Sequence, residues 1–250
     1  MAAEAGTEQY DIDGLQYEEA KKSTDCARYV EIPTFLHEVG ATRDKSVLDL
    51  GCGTGFYTRM LRAAGASRVV GADMSEEMVR VARRQEAANP QGIEYRVEDA
   101  TKVPTIHAFD IVTAAYLFPH AANMAELTAM AQGVARNLTT GGRLVAIIMN
   151  PDFDYDGPNA TKYGYTVRKA GSFDNGSKYH LTIGTPPLVY AEAFNYSRNV
   201  YEQALTTAGL TDLQWIPPRI SPAGMRAHGA SYWADLLQNP GLIFLTARRP

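Results

Sequence analysis

Asp49, Gly51, Gly53 and Gly55 share one short segment, residues 46–56, which reads SVLDLGCGTGF. An apolar strand that passes into a glycine-rich turn and then a helix lets a ligand approach the backbone, because glycine has no Cβ and tolerates unusual φ and ψ angles. A dinucleotide fingerprint would place its third glycine at position 56, where the chain has Phe56, and a phosphate-binding loop would end in lysine followed by serine or threonine. The turn therefore predicts a binding site for a ligand without a phosphate.

Acidic residues follow the next two predicted strands. Residues 69–73 read VVGAD, so Asp73 stands 22 residues after Gly51, where a carboxylate can bridge ribose hydroxyls. Residues 93–97 read IEYRV, and Glu98, Asp99 and Ala100 come directly after them. Together with the acid-x-G-x-G-x-G turn, these features resemble the first motifs of the class I S-adenosylmethionine-dependent methyltransferases. The resemblance implies S-adenosyl-L-methionine as cofactor, S-adenosyl-L-homocysteine as product, and contact between residues 98–100 and the adenine amino group.

The same resemblance implies which residues bind the cofactor. In this family a helical segment before the first strand often folds over the cofactor, which adds a tyrosine from residues 10–40 to the set. The predicted cofactor-binding residues are Tyr17, Asp49, Gly51, Cys52, Gly53, Gly55, Phe56, Asp73, Met74, Met78, Glu98, Asp99, Ala100 and Ala115.

Later segments resemble a narrower group of small-molecule enzymes. The run 109–118 (FDIVTAAYLF), the segments 151–153 and 162–164, and the pair Tyr232-Trp233 are similar to the toxoflavin-pathway N-methyltransferase group, which methylates a flat azapteridine. These segments are less specific than the cofactor motifs and leave the substrate open.

Regular alternation of strand and helix predicts the fold. Strands are expected at 46–50, 68–73, 92–97, 108–115 and 142–149, and helices at 56–64, 75–88 and 121–138. This is the pattern of an α/β, Rossmann-like sheet that is mostly parallel. With strands at 212–216 and 242–247, the resemblance implies seven strands with the last one antiparallel.

Three further segments surround this predicted sheet within a single domain, residues 1–250, whose cofactor-binding core is residues 44–150. Residues 10–40 are predicted as an N-terminal helical lid that Pro33 breaks. Residues 151–196 hold three short β-like runs, which predicts an inserted antiparallel ribbon, and residues 217–240 form a second insertion on the substrate side.

Candidate catalytic residues follow the fourth strand, because open parallel sheets bind ligands at the carboxyl ends of their strands. Tyr116 is predicted to line the methyl-transfer channel. His120 is a candidate general base at neutral pH, or a helix residue that faces water, and His228 is a weaker alternative. The predicted substrate-binding residues are aromatic, which suits a flat ring: Tyr116, Phe153, Tyr163, Tyr165, Tyr232 and Trp233.

These residues predict transfer of a methyl group to nitrogen or oxygen of a small aromatic or heteroaromatic metabolite of secondary metabolism, mainly by proximity and orientation. Three alternatives stay open: a non-methylating reaction of the same fold such as a cyclisation, methylation of carbon, and a binding protein with a vestigial site. The last is disfavoured because Asp49, Asp73 and Asp99 are all present.

The composition of the chain argues against several classes of binding partner. A formal net charge of −4 argues against nucleic acid, which requires a broad basic surface. Two cysteines, Cys26 and Cys52, are too few for a disulfide framework, and no metal cluster is expected. The sequence has no run of 18 apolar residues, so no membrane-spanning helix is expected. The expectation is a soluble, cytoplasmic protein with a small-molecule substrate and an oligomeric state that the sequence leaves open.

Overall fold

Two sheets hold the ten strands of the described residues. The computed structural model describes residues 14–184 and 188–250, so positions 10–13 of the predicted lid lie outside the described residues. In chain order the strands are β1 (Ser46–Leu50), β2 (Arg68–Asp73), β3 (Glu94–Val97), β4 (Phe109–Ala115), β5 (Leu138–Met149), β6 (Tyr165–Phe173), β7 (Gly176–Ile183), β8 (Val189–Tyr196), β9 (Thr211–Ile216) and β10 (Leu242–Arg248).

The large sheet has seven strands in the order β3-β2-β1-β4-β5-β10-β9. The pairs among β1 to β5 are parallel, whereas β10 runs antiparallel to both β5 and β9. The prediction of a mostly parallel, seven-stranded, Rossmann-like sheet whose last strand is antiparallel is confirmed. Apolar side chains fill both faces of this sheet, which explains why β1, β4 and β5 read as continuous apolar runs.

Eight α-helices surround the strands within the described residues. They are α1 (Gly14–Lys22), α2 (Ile32–Val39), α3 (Phe56–Ala63), α4 (Glu76–Ala88), α5 (Met124–Asn137), α6 (Arg198–Thr207), α7 (Pro222–His228) and α8 (Ala234–Gln238). Helix α4 begins as predicted, because the Ser75 hydroxyl accepts a hydrogen bond from the Met78 amide. Helix α5 begins three residues later than predicted, because the Asn123 side chain caps it by accepting from the Glu126 amide.

The inserted ribbon is a three-stranded antiparallel sheet of β6, β7 and β8. Its base packs closely on α1 at two glycines with left-handed φ angles, Gly164 (φ 93°) and Gly184 (φ 90°). A Cβ at Gly164 would lie 2.6 Å from the Thr24 side chain, and one at Gly184 would lie 2.8 Å from Ala20. The ribbon and α1 therefore close against each other beside the large sheet.

The N-terminal segment differs from its prediction. The helix is interrupted at residues 23–24 rather than at Pro33, and residues 25–39 are continuously helical with a π-helical stretch at Ala27–Glu31. Because Pro33 has no amide hydrogen, the Tyr29 carbonyl loses its usual helical donor, and the Ser221 amide donates to it instead at 2.8 Å. The carbonyl that Pro33 leaves without a helical donor thus joins this helix to the second insertion. No helix in the described part of the chain is long and apolar enough to cross a membrane.

Candidate active site

The glycine turn adopts the conformation that its residues predict. Gly51, Gly53 and Gly55 have φ angles of 76°, 54° and 81°, in the left-handed region. The Gly51 amide donates to the Ala72 carbonyl at 2.7 Å, and the Gly53 amide donates to the Asp73 carboxylate at 2.7 Å. A Cβ on Gly53 would meet no atom within 4 Å, so this side of the turn is open to a ligand.

Asp73 lies at the carboxyl end of β2, between the turn and an exposed apolar surface. One carboxylate oxygen accepts from the Gly53 amide and the other from the Ser75 amide at 3.0 Å, which leaves lone pairs for further donors. Burial raises the pKa of Asp73 and outweighs these hydrogen bonds. Met74 and Val97, at the ends of neighbouring strands, are 65% and 40% exposed. An acceptor of hydroxyl hydrogens beside exposed apolar side chains fits the ribose and adenine of S-adenosylmethionine.

Several predicted cofactor-binding residues lie behind the turn. Asp49 is 1% exposed, and its two oxygens accept hydrogen bonds from the hydroxyls of Thr58 (2.6 Å) and Thr113 (2.8 Å). Burial raises the pKa of Asp49 in spite of these bonds. Asp49 therefore links β1 to α3 and β4, and has almost no surface for a ligand. Residues that are likewise under 9% exposed are Cys52, Phe56, Met78 and Ala100.

At the end of β3, the Asp99 carboxylate accepts from the Thr101 amide at 2.8 Å and lies 3.4 Å from the Lys102 ammonium. Burial opposes ionisation of Asp99, but Thr101 and Lys102 hold its pKa below the usual value. The Glu98 amide donates to the Asp73 carbonyl, so Glu98 and Asp99 lie beside the ribose-binding position that the sequence predicts. Ala115, at the end of β4, is partly buried.

Helix α1 is fastened to the glycine turn by Glu18. Its buried carboxylate accepts from the Arg59 guanidinium at 2.7 Å and from the Thr54 hydroxyl at 3.1 Å, and pairs with Lys22 at 2.7 Å. Burial is the largest influence on the pKa of Glu18 and raises it, but the hydrogen bonds from Lys22 and Arg59 outweigh burial and hold the pKa below 4.5. Tyr17, the residue before Glu18 in α1, lines the cavity described next.

A cavity lies between the N-terminal helices, the ribbon and the carboxyl ends of β4 and β5. Its polar end is formed by the N-terminal helices and the segment after β4, and includes Tyr17, Lys21, Glu31, Tyr116 and His120. Its apolar end is formed mainly by the ribbon, with Tyr165 and Tyr179 beside Val167, Leu181, Ile183, Ala191 and Ala193. A lining of many apolar and few polar groups is typical of a small-molecule site.

A buried ionic cluster forms the polar wall of this cavity. The Lys21 ammonium lies 2.7 Å from Glu31 Oε1, and both side chains are under 8% exposed. The Tyr57 hydroxyl donates to the same Glu31 oxygen, and the Tyr116 hydroxyl donates to Glu31 Oε2 at 2.7 Å. Lys21 also lies 4.7 Å from the ring centres of Tyr57 and Tyr116. We name Lys21, Glu31, Tyr57 and Tyr116 the Glu31 cluster.

Protonation in the Glu31 cluster follows from these contacts. Burial lowers the pKa of Lys21, but the Glu31 carboxylate outweighs burial and the pKa lies above its usual value. Burial, followed by the charge of Glu31, raises the pKa of both Tyr57 and Tyr116 well above 10. At neutral pH the lysine is therefore charged, and both phenols keep the proton that they donate to Glu31. Tyr116 also has a left-handed φ of 62°, an unusual conformation for a tyrosine.

His120 lies on the cavity wall, after a 3₁₀ turn at Phe118–His120. The residue is exposed at the surface, yet desolvation by the surrounding protein lowers the pKa of His120 to about 4. The imidazole is therefore neutral at pH 7 and a weak base. His120 is thus both exposed and on the cavity wall, and its role as a general base stays a prediction that the lowered pKa disfavours.

The structure places some predicted substrate-binding residues away from the cavity. Trp233 and Tyr163 are 0% exposed and stack at 5.4 Å, with the Trp233 indole N–H donating to the Gly224 carbonyl. Tyr232 lies 2.7 Å from Asp25 and packs edge-to-face on both rings. These rings pack the second insertion against the N-terminal helices, because their apolar faces are buried at that contact and their polar groups find hydrogen-bond partners in it. Phe153 packs behind Tyr179 and Ala193, so of the predicted ribbon residues Tyr165 is the one on the wall.

Sequence reasoning missed Glu18, Lys21, Glu31 and Tyr57. A usable signal was present, because Tyr17, Lys21, Thr24 and Glu31 are spaced by 4, 3 and 7 residues and so share one face of a helical segment with apolar neighbours. Charges on an otherwise apolar helical face are expected to be paired when that face is buried.

Residues 47–142 match a family described as "Methyltransferase domain". A ubiquinone biosynthesis O-methyltransferase of Aromatoleum aromaticum is 34% identical over 131 residues, which are 47% of this chain and 54% of that protein. A demethylmenaquinone methyltransferase of Thermus thermophilus is 39% identical over 110 residues, 43% of this chain and 48% of that protein. The chain thus spans about half the length of these curated relatives.

Solved structures extend the likeness over the whole fold. The S-adenosylmethionine-dependent methyltransferase of Mesorhizobium loti superposes with a TM-score of 0.61 at 21% identity, covering 92% of this chain and 100% of the other. A second one, from Listeria monocytogenes, gives a TM-score of 0.60 at 19% identity, with 95% and 100% coverage.

Residues 47–142 are similar to a methyltransferase domain, and the fold built around them is similar to that of solved S-adenosylmethionine-dependent methyltransferases. S-Adenosylmethionine is the cofactor that this similarity implies. The narrower likeness to the toxoflavin-pathway group stays a prediction.

Proposed function

We propose that the chain is an enzyme that transfers the methyl group of S-adenosylmethionine to a nitrogen or oxygen atom of a small aromatic or heteroaromatic molecule. The observation that carries this proposal is the cavity at the carboxyl ends of β4 and β5, which is walled by tyrosine rings and aliphatic ribbon side chains. The cavity has the mostly apolar lining that suits a flat ring. Its polar groups gather at one end, which favours an acceptor with a polar reacting end and an apolar remainder.

The cofactor would be held by the open side of the glycine turn, by Asp73 and by the apolar surface of Met74. When bound, it supplies an electrophilic methyl group on a positively charged sulfur. What the protein adds is position: the Leu117 side chain packs within 3.2 Å of where a Cβ of Gly51 would lie, so the wall that carries Tyr116 is packed against the turn. Holding two reactants in line contributes roughly 7–11 kcal/mol to a reaction of this kind.

The curated relatives support a ring-shaped acceptor. Their names refer to ubiquinone biosynthesis and to demethylmenaquinone, and quinones are flat rings with polar oxygens. The family match covers residues 47–142, whereas the ribbon, Lys21 and Glu31 lie outside that segment. We therefore extend to this chain the class of reaction and a ring-shaped acceptor, and not a quinone.

The test offers S-adenosylmethionine with a panel of compounds: phenol, catechol, indole, benzimidazole, 8-hydroxyquinoline and 1,4-dihydroxynaphthalene. Release of S-adenosylhomocysteine together with a methylated product by mass spectrometry supports the proposal. Release of S-adenosylhomocysteine without a methylated product indicates another reaction of the bound cofactor. The absence of both products overturns the proposal.

Two matched variants locate the acceptor. Ala193→Phe fills the cavity from the ribbon wall, whereas Ala170→Phe adds the same ring to an exposed position of the same ribbon. We expect Ala193→Phe to raise the acceptor KM at least about tenfold, because overpacking excludes the acceptor, while cofactor affinity is unchanged. Equal acceptor kinetics in the two variants would show that the acceptor binds elsewhere.

A further inference from the structure

The hydrogen bonding of Tyr116 determines what a bound acceptor can offer it. A phenol has one O–H donor and oxygen lone pairs that accept. The Tyr116 hydroxyl donates its one hydrogen to Glu31 Oε2 at 2.7 Å. The phenolic oxygen can therefore only accept from a molecule in the cavity, so a group that meets Tyr116 must carry an N–H or O–H hydrogen.

This orientation is fixed from both ends. Glu31 Oε1 is held by the Lys21 ammonium at 2.7 Å and by the Tyr57 hydroxyl, so the carboxylate is not free to turn away from Tyr116. The Tyr116 amide donates to the Ile147 carbonyl at 2.8 Å, which secures the left-handed backbone at this residue. A strained residue that its surroundings hold in place is a common feature of binding and catalytic sites.

Glu31 receives three hydrogen bonds on the polar wall of the cavity, from Lys21, Tyr57 and Tyr116. Burying a lysine and a glutamate as a pair gives little net stability, because desolvation offsets their attraction. Asp49 shows the simpler structural arrangement, with two threonine hydroxyls and no cation in hydrogen-bond contact. Glu31 instead lies on the cavity wall, one hydroxyl away from the space that an acceptor would occupy.

Resting on the function proposed above, we propose that the acceptor donates an N–H or O–H hydrogen to Tyr116, and that Tyr116 and Glu31 together take that proton as the heteroatom is methylated. The heteroatom forms its bond to the methyl carbon, the carbon–sulfur bond breaks, and its electron pair stays on sulfur. The acceptor proton passes to the Tyr116 oxygen while the Tyr116 proton passes to Glu31 Oε2. Tyr116 ends with one proton, as it began, and Glu31 ends as a carboxylic acid.

Under this proposal Tyr116 is a catalytic residue, Glu31 is the final proton acceptor, and Lys21 is a positioning residue that holds the Glu31 carboxylate in place. Acceptors are selected by the presence of a hydrogen on the reacting atom. A ring nitrogen without hydrogen, as in a pyridine, has no donor for Tyr116 and binds poorly.

The experiment compares Tyr116→Phe with Tyr201→Phe, a control at another buried tyrosine, which lies in a core cluster away from the cavity. The probe is the panel compound that the wild-type enzyme methylates fastest, paired with its methylated counterpart that lacks the hydrogen; benzimidazole and 1-methylbenzimidazole are such a pair. Calorimetry in the presence of S-adenosylhomocysteine measures the affinity for both compounds without any turnover.

We expect Tyr116→Phe to lower kcat at least about 100-fold, the lower end of general acid–base effects, and Tyr201→Phe to stay within about threefold of the wild type. Tyr116→Phe should also abolish the preference of the wild type for the compound with the hydrogen. A solvent deuterium effect on single-turnover methyl transfer should be present in the wild type and lost in Tyr116→Phe.

Glu31→Gln leaves the Lys21 ammonium buried without its partner and can therefore prevent folding. The double variant Lys21→Met with Glu31→Gln removes both charges together and provides the second test, with an expected loss in kcat as large as that of Tyr116→Phe. If the wild type methylates a panel compound while Tyr116→Phe and the double variant keep kcat within tenfold and retain the binding preference, the proton path is overturned. A wild type that methylates no compound overturns the proposed function itself.

Discussion

Replacing Glu18 by glutamine removes the charge that joins α1 to the glycine turn. Glu18 is 5% exposed in its side chain and contacts Arg59 at 2.7 Å, Thr54 at 3.1 Å and Lys22 at 2.7 Å. Glutamine keeps the size and one accepting oxygen but loses the carboxylate. The expected result is a helix α1 that opens more often while the large sheet is unchanged.

The magnitude follows from these contacts. A hydrogen bond to a charged group contributes about 1.5–3 kcal/mol when buried, and the Arg59 contact is of this kind because Arg59 is only 17% exposed. Lys22 is 44% exposed, so its ion pair adds at most about 1 kcal/mol. With the Thr54 bond partly retained, we expect local opening of α1 to become easier by about 2–3 kcal/mol, or roughly 30- to 160-fold.

Hydrogen exchange at pH 7, read by mass spectrometry on a peptide that covers α1, measures this opening. The pKa of Glu18 lies below 4.5, so the contribution of its charge is complete at that pH and is lost only as the pH falls below 4.5. Glu19→Gln is the matched control, because Glu19 is 74% exposed and contacts Lys22 alone. Equal exchange of α1 in the two variants would refute the anchoring role. We also expect S-adenosylmethionine to slow exchange in residues 14–32 of the wild type, as a lid requires.

Three other expectations concern single residues. Asp73→Ala should weaken S-adenosylmethionine binding at least tenfold in calorimetry, because about 1.5–3 kcal/mol is lost per hydrogen bond to the carboxylate; unchanged affinity would contradict the ribose role. His120→Ala should keep kcat within about tenfold, because a pKa near 4 makes a weak base at neutral pH; a pH–rate profile that rises near 6.5 would contradict this. Between pH 6.5 and about 4 the His120 imidazole binds more protons in the unfolded chain than in the folded one, so the free energy of unfolding falls as the pH drops through that window. His120→Ala should make this fall smaller, as measured by urea denaturation at several pH values. Trp233→Ala should lower the free energy of unfolding by about 3–5 kcal/mol; a normal stability with a raised acceptor KM would instead restore a substrate role for Trp233.

The sheet was predictable because its signals are local. The residues of β1 and β2 are apolar runs with fixed neighbours in sequence, and the glycines at 51, 53 and 55 determine the turn whatever surrounds it. The boundaries that shifted depend on side-chain caps, as at Asn123, or on a partner far along the chain, as at Pro33. Sequence spacing alone does not show that the Tyr29 carbonyl finds the Ser221 amide.

The acceptor side was harder to predict because the sequence pattern of aromatic residues is the same whether they pack in a core or line a cavity. Trp233 and Tyr165 both occur in the insertions, yet Trp233 is 0% exposed beneath the N-terminal helices while Tyr165 reaches the cavity. Which ring is covered depends on how the ribbon folds over α1. That docking is decided by two close contacts between residues far apart in sequence, Gly164 with Thr24 and Gly184 with Ala20.

The buried charges of the N-terminal helices connect the two halves of the site. Glu18 bonds to Thr54 within the glycine turn, and Glu31 bonds to Tyr116 on the cavity wall, so one short segment touches both the cofactor side and the acceptor side. Lys21 lies between them in sequence and is held by Glu31. Buried pairs of this kind contribute little to net stability but are costly to break, so they favour a single position of the segment over many. Movement of α1 away from the turn would therefore also disturb the wall around Tyr116, which couples the order of the lid to the completeness of the acceptor cavity.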